Sequence, residues 1–585
     1  MISPAWAEQP LYVAYPPADH QTTAEKIFLI GSAPPTGEVM VNGKALARSP
    51  AGNFAPSFPL QVGENRFTVR YQNQEIQIKV TRQSTEPVLP AGLGFAKDSL
   101  TPAVDIARMP GELICFGAIA PANAAVSVKL GDQTIPLMSQ AQDVQLPPNS
   151  AVLTQPDRPT SSSQAGARRG VGQYQGCATA ESPADLGVPQ FQLTMNTQTT
   201  TQPGSGKVSI LSPAKLEVAE VTSNEGVART GPSTDYSRLT PLPKGTRATV
   251  TAREGQWVRL DYGAWIKAAE VKIVEGAVPP RSLIRSIRAR KVEGATEVVF
   301  PLQVPVPVSV QQGDRTFTLT LYNTTAQTDT IRLDDDPVIS RLDWQQVAPG
   351  QLQYTFNLKP KQQWGYNLRY EGTNLILSLR HPPRVSSLPN SKSNIQTPQP
   401  LAGIKILLDP GHGGPEDSGS TGPTGYPEKA VALVVSKLVR ERLQARGAMV
   451  YMTREEDKDV GLQERVDMIE KLQPAIAISL HYNALPDDGD AINTKGVGAF
   501  WYNTQAHSLA MFLHNYLVQK LGRPSYGVFW NNLALTRPHT TPSILLELGF
   551  MINPVEFEWV SNPQEQQKLA DALAEGITQW LASTR

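Results

Sequence analysis

The chain has 585 residues, too many for one core, and its 53 Lys plus Arg balance 53 Asp plus Glu. No whole-protein field therefore recruits nucleic acid or an anionic membrane, and no apolar run approaches the roughly 20 residues that span a bilayer. The 50 prolines and 44 glycines concentrate in the first two-thirds, where they favour short strands and turns over helices. At the start, Pro4-Ala5-Trp6-Ala7 before Glu8 has the small-x-small form of an export-signal cleavage site, without the charged start and apolar core of a signal. Residues 1–7 are read as a signal-peptide remnant of an exported protein; a chance A-x-A is the plain alternative.

From 8 to 83, alternating runs such as Arg66 to Tyr71 are separated by Asn-Gly and Gly-Glu-Asn turns, the pattern of a small immunoglobulin-like β-sandwich. Residues 88–211 repeat the idea. There "ELICFGAIAPANAAVSVKLGDQTI" echoes the Gly-Ser-Ala-Pro-Pro and Val-Asn-Gly pattern of the first unit, so an internal duplication is expected. A polar stretch at 156–172 reads as a solvated insertion. Cys115 and Cys177 fit either one bridge or two buried thiols. Residues 215–275 resemble a bacterial SH3-type module: a Val-Ala-Arg-x-Gly-Pro-Ser opening, a Leu-Pro-Lys-Gly turn and a Gly-Ala-Trp-Ile closing strand, with Trp257 and Trp265 as core or groove aromatics. Residues 281–383, with "TFTLTLYN" and "NLILSLR", form another β-rich block that distantly resembles the AMIN modules of wall amidases. A Ser/Pro/Asn-rich linker follows at 384–401.

From 402 to 585 the pattern changes. Apolar runs "IKILL", "AMVYM", "AIAISL" and "SILLEL" alternate with helical stretches near 428–446, 462–472, 508–521 and 563–581, which predicts an α/β unit with a central sheet flanked by helices. Val431, Val434, Val435, Leu438 and Leu443 give the first helix its apolar face. In such sheets ligands gather at the carboxyl ends of strands, and four polar residues fall there. His412 follows "IKILLDP" amid glycines that let the backbone turn. Glu428 opens the first helix, and His481 closes "AIAISL". Glu547 sits in the otherwise apolar "SILLELGF", where a lone carboxylate is costly to bury. Two imidazoles and a carboxylate form the ligand set of catalytic zinc. Each residue also has an ordinary reading: a turn histidine, a helix-dipole partner, a strand-end histidine, and an ion pair of Glu547 with Arg454 or Arg537. "GHGG" lacks the Gly-Lys-Ser/Thr ending of a phosphate loop.

The ordered motifs "LLDPGHGG", "PEKAVAL", "VYMTREED", "LQERV", "AISLHYNA" and "ILLELGFMIN" resemble those of zinc-dependent N-acetylmuramoyl-L-alanine amidases of the third amidase family, from about Ile404 onward. The resemblance implies that His412, Glu428 and His481 bind Zn²⁺ and that Glu547 is the catalytic acid/base. It implies peptidoglycan as substrate, cut between N-acetylmuramic acid and the L-alanine of the stem peptide. The place of action would be the periplasm or the cell wall, with envelope partner proteins reached through the N-terminal β-units.

Three positions depart from the family pattern. Pro427 precedes the Glu-Lys pair, which a first helical turn tolerates. Tyr482 is expected to narrow the cleft beside His481, and Tyr526 and Trp530 of "SYGVFW" to line the substrate groove. Asn483 and His539 complete the expected substrate contacts. Only one helix is expected between His481 and Glu547, hence no built-in plug, and any restraint would come from the N-terminal units or their partners. Two other functions compete: a catalytically silent wall-binding scaffold, and a zinc hydrolase of another bond, such as a peptide cross-link.

Overall fold

The computed structural model describes residues 10–85, 92–140, 151–154, 171–383 and 399–584. The expected export remnant, most of the 156–172 insertion and most of the 384–401 linker lie outside them.

Before residue 384 the described elements are almost all strands. Tyr12–Tyr15, Ile30–Ser32 and Asn53–Phe54 make a three-stranded sheet, and a five-stranded sheet is centred on Gly63–Tyr71 and Gln74–Arg82. Alternation decides the packing: Phe67, Val69 and Tyr71 are buried while Arg66 and Arg70 face out. Ile27, Phe54, Val69 and Val80 share the resulting core.

The next unit contains a six-stranded sheet in which Cys115 lies directly opposite Cys177. The two are joined as a disulfide, the first of the two expected states. Val171 and Gly172, expected in the insertion, instead begin the strand Val171–Ala178. A second sheet crosses the expected boundary near 211–215. Ile106–Arg108, Ala184–Gly187 and Val208–Ile210 share one eight-stranded sheet with Val218–Val221, Arg247–Glu254 and Val271–Val274. Trp265 is buried, with the guanidiniums of Arg108 and Arg259 at 5.7 and 5.8 Å from its ring centre, so it takes the core role. Residues 282–380 form a five-stranded and a four-stranded sheet over a core containing Phe300, Phe317, Tyr354 and Phe356.

The C-terminal unit is a six-stranded sheet: β1 (Lys405–Pro410), β2 (Met449–Met452), β3 (Ile476–Asn483), β4 (Val497–Trp501), β5 (Ser525–Trp530) and β6 (Ser543–Phe550). Their order is β2-β1-β3-β6-β4-β5. The first four in that order run parallel, whereas β4 is antiparallel to β6 and carries β5 with it. Helices α1 (Glu428–Ala445), α3 (Thr504–Leu521) and α5 (Pro563–Ser583) cover one face through Val431, Val435, Leu513 and Leu573. On α1 the buried row includes Val439; Val434 lies at the edge of the stripe and is 40% exposed. α2 (Leu462–Leu472) covers the other face at Leu407 and Ala477. A short helix not expected from the sequence, α4 (Pro554–Val560), begins where the Asn553 side chain accepts from the amides of Val555 and Glu556.

The remaining part of that second face is covered from a distance in sequence. Phe28, Ile30 and Ala55 of the first β-unit pack on Phe500, Tyr526, Leu545 and Phe550. Asp487 joins the same contact by accepting from Tyr15 and lying 3.0 Å from His20 Nε2. Among the described residues no helix is long and apolar enough to cross a membrane.

Candidate metal centre

Parallel pairing brings the carboxyl ends of β1, β3 and β6 side by side. Register then sets His481 opposite Glu547, and His412 follows the end of β1. His412 takes φ +58°, in the left-handed region. Two glycines around it are required by close approach. A Cβ at Gly411 would come within 2.3 Å of the His481 ring, and one at Gly419 within 2.6 Å of both Glu428 Oε2 and the His412 ring.

Two buried arginines hold this loop by its carbonyls. Arg454 donates to the oxygens of Pro410, Gly411 and Lys429 at 3.1, 2.8 and 2.7 Å. Arg465 donates to those of Pro410 and His412, both at 2.8 Å, and pairs with buried Asp409 at 2.7 Å. Burial alone would raise Asp409, but the Arg465 charge and bonds from Ser479 and Thr453 outweigh it and hold the carboxylate below its usual range.

Glu428 Oε1 lies 3.2 Å from His412 Nε2 and 3.0 Å from His481 Nδ1, and accepts from the Tyr482 amide at 3.0 Å. Its Oε2 accepts from the amide and hydroxyl of Ser420 at 2.8 and 2.9 Å. His412 Nδ1 meets Asp417 Oδ1 at 2.6 Å, which directs Nε2 into the cluster. One donor atom from each of His412, Glu428 and His481 lies within 4.8 Å of the others. Tetrahedral zinc with bonds of about 2.0–2.1 Å would set such atoms roughly 3.3 Å apart. Donor types and spacing therefore fit a divalent metal of that kind.

The electrostatics agree with a cation site. Burial pulls the His412 imidazole down, yet Glu428 and then Asp417 outweigh it and lift it to about 9. Burial would raise Glu428, but the two imidazoles hold it well below the carboxylate range. Glu547 behaves oppositely. It is half-buried, its Oε2 has no hydrogen-bond partner among the described residues, and burial pushes it up to about 8, with His481 opposing and Glu428 adding. Neither arginine considered as its partner pairs with it: Arg454 bonds carbonyls, and Arg537 bonds Asn532 at the other end of the sheet.

The expected substrate contacts separate. Asn483 ends β3 and stays beside the cluster, its Oδ1 accepting from the Ala484 amide at 2.9 Å. Tyr526 is also a near neighbour of Glu547, since a Cβ on Gly498 would sit 3.0 Å from Tyr526 Cδ1 and 3.5 Å from Glu547 Cβ. Its ring is buried against Phe529 and Phe550 under the first β-unit. Tyr482 does not narrow the cleft. It follows His481 in an extended strand, so it points to the opposite face and is 1% exposed in the helix-covered core. Trp530 and His539 also lie away from the cluster. β4 and β5 run opposite to β6, which places the end of β5 and the approach to β6 at the far end of the sheet. There His539 packs on Tyr366, ring centres 4.8 Å apart. Between His481 and Glu547 stand α3, within the helix-covered core, and the 3₁₀ turn Ala534–Thr536.

Asp409, Asp417, Ser420 and Arg465 received no role from sequence reasoning, and Arg454 only that of an alternative partner for Glu547. A signal existed for one pair: an aspartate ending an apolar strand needs a cation, and "VYMTREED" and "LQERV" each supply an arginine.

Residues 406–579 match the profile described as N-acetylmuramoyl-L-alanine amidase. The germination-specific N-acetylmuramoyl-L-alanine amidase of Bacillus subtilis (strain 168) is 33% identical over 203 residues, 31% of this chain and 81% of that protein. The probable cell wall amidase LytH of Staphylococcus epidermidis is 32% identical over 185 residues, 32% of this chain; the chain spans 60% of that relative's length. Among solved structures, the catalytic domain of CwlV, an N-acetylmuramoyl-L-alanine amidase from Bacillus (Paenibacillus) polymyxa var. colistinus, is 27% identical with a TM-score of 0.29, covering 31% of this chain and 98% of that one. Through its C-terminal unit, the chain belongs to the N-acetylmuramoyl-L-alanine amidase family.

Proposed function

We propose that the C-terminal unit is a zinc-dependent peptidoglycan amidase, cutting between the lactyl group of N-acetylmuramic acid and the L-alanine of the stem peptide. The observation that carries this reading is the convergence of His412, Glu428 and His481, with half-buried Glu547 opposite His481 on the next strand. The names of the relatives, a cell wall amidase and an N-acetylmuramoyl-L-alanine amidase, support the same bond.

Zn²⁺, when bound, polarises a carbonyl and makes water acidic enough to lose a proton near neutrality. The chain's own residues do the rest. Ser420 and the Tyr482 amide hold the Glu428 carboxylate, and Asp417 holds the His412 tautomer, so the ligands need not reorient. Glu547 Oε2, without a partner among the described residues, accepts the proton of water and passes it to the departing amine, a role typically worth roughly 10²–10⁴-fold. The amide C–N bond breaks. Hydroxyl goes to the lactyl carbonyl carbon and the proton to nitrogen, leaving a lactyl carboxylate on the sugar and a stem peptide with a free amino terminus.

In the same reading the protein is exported and works in the periplasm or at the cell wall. Immunoglobulin-like, SH3-like and AMIN-like units at 8–83, 88–211, 215–275 and 281–383 contact peptidoglycan or envelope proteins. The test is bound metal per chain together with cleavage of a synthetic N-acetylmuramoyl-L-alanyl dipeptide, followed by mass. His412→Ala should lose metal, and Glu547→Gln should keep metal and lose cleavage. Full cleavage by Glu547→Gln would remove that residue from the reaction.

A further inference from the structure

A cavity of about 1270 Å³ lies where the 215–275 and 281–383 regions meet the C-terminal unit, at the sheet end remote from the His/Glu cluster. Arg238 and Arg537 line it. The buried Nε of Arg238 has no hydrogen-bond partner among the described residues, and Arg537 bonds neutral acceptors, Oδ1 and O of Asn532, at 2.7 and 3.2 Å. Arg229 stands close by, with its guanidinium on the carbonyls of Thr234 and Tyr236. Burial lowers both lining arginines, and mutual repulsion among the three lowers them further, Arg537 to about 10. Of the acids that also line the cavity, Glu225 and Glu470 gather around His539, and Asp467 accepts from the Gln463 side-chain amide at 2.8 Å. Half-buried guanidiniums facing one another are costly until an anion arrives; the Glu270 charge offsets part of the repulsion on Arg238 but leaves its Nε unbonded among the described residues.

An aromatic shelf adjoins them. Tyr502 and Trp530 stack with ring centres 5.1 Å apart, and the Trp530 indole N–H donates to the Tyr502 carbonyl at 2.9 Å. Trp530 is nevertheless 59% exposed. Asn503 ties the shelf to the arginine loop by donating to the carbonyls of Arg537 and Pro538 at 2.7 and 3.1 Å. A rigid open ring face beside a charged fork suits a ligand that is itself a ring with a short acidic arm.

We propose that this cavity is a second binding site, for a saccharide bearing a carboxylate: Trp530 and Tyr502 take the face of the sugar ring, and Arg238 and Arg537 take the carboxylate. The source of the ligand rests on the amidase reading. Each cut turns a lactyl amide into a lactyl carboxylate on the sugar, so the stripped strand carries this chemistry on its rings and the uncut strand does not. The site holds the product strand and keeps the enzyme on wall already opened.

The test uses the full chain and three probes: glycan strands freed of peptide, the same strands with carboxyls capped as methylamides, and a poly(glycerol phosphate). Binding is read by calorimetry and tryptophan fluorescence. Stripped strands should bind. Capping, the pair Arg238→Gln and Arg537→Gln, and Trp530→Ala should each weaken binding roughly tenfold or more. Arg238→Gln alone, which breaks no bond of its Nε, checks by thermal midpoint that any loss is not unfolding. Equal binding of capped and uncapped strands, or unchanged binding by the paired variant, would overturn the proposal. Tighter binding of the phosphate polymer than of stripped strands would overturn the sugar-carboxylate assignment. Peptidoglycan cut without strand binding would sink this site alone; strand binding without cutting would sink the amidase reading and leave the site standing.

Discussion

The two ends of the C-terminal sheet treat buried charge in opposite ways. At the carboxyl ends of β1, β3 and β6, Arg454 and Arg465 direct their donors to loop carbonyls and Asp409, and Glu428 is held by Ser420 and the two histidines. At the other end, Arg238 keeps a buried donor without a partner among the described residues, and Arg537 bonds the neutral acceptors of Asn532. Satisfied arginines build a loop. Unsatisfied ones wait for an anion. Where the N–H groups go, more than how deeply the side chain is buried, separates a structural arginine from a binding one.

The largest expected effect lies beside the His/Glu cluster. Glu547→Gln should slow hydrolysis roughly 10²–10⁴-fold with bound metal unchanged, and a loss below tenfold would argue that another group carries the proton. Next, Arg465→Leu leaves Asp409 buried without its cation and should cost about 3–5 kcal/mol, read from denaturant unfolding. A cost near zero would mean that Thr453 and Ser479 suffice. The contact of the first β-unit should respond to acid. Burial would raise Asp487, but bonds from Thr22, Tyr15 and His20 hold it below its usual value. Its contribution is thus present above the unfolded value of about 3.9 and lost as pH falls through the lower folded value. Hydrogen exchange at 12–22 should rise there in the parent chain and show no such step in Asp487→Asn.

Smaller effects sharpen the contrast. Tyr482→Phe removes a buried hydroxyl that has no partner among the described residues and should stabilise by about 1 kcal/mol; destabilisation would reveal a bond to that oxygen. Arg238→Gln, at the unsatisfied end, should change stability by no more than about 0.5 kcal/mol. A cost matching that of Arg465→Leu would erase the distinction between the two ends.

The His/Glu end was legible because its residues lie toward the carboxyl ends of strands or open a helix, in a parallel arrangement that apolar runs announce. The far end was not. Its groups come from 229–238, 502, 530 and 537, and nothing local joins them. Strand direction was the missing fact: Tyr526 and Trp530 share β5, four residues and about 13 Å apart, and only the antiparallel pairing of β4 with β6 decides which of them stands near Glu547. His539 was misplaced for the same reason. Tyr482 was a different miss, since alternation alone puts the neighbour of a site-facing His481 on the other face. The covering of Tyr526 and Phe550 by Phe28 and Ile30 joins segments about 500 residues apart, which no periodicity reports.

The most direct test of the central claim is a digest of purified peptidoglycan by the zinc-loaded full chain, with products identified by mass spectrometry beside Glu547→Gln. Free stem peptides beginning at L-alanine, together with glycan carrying free lactyl carboxylates, are predicted for the parent chain and should be absent from the variant. Muropeptides left intact by a protein that binds zinc, or cut at a peptide cross-link, would contradict it.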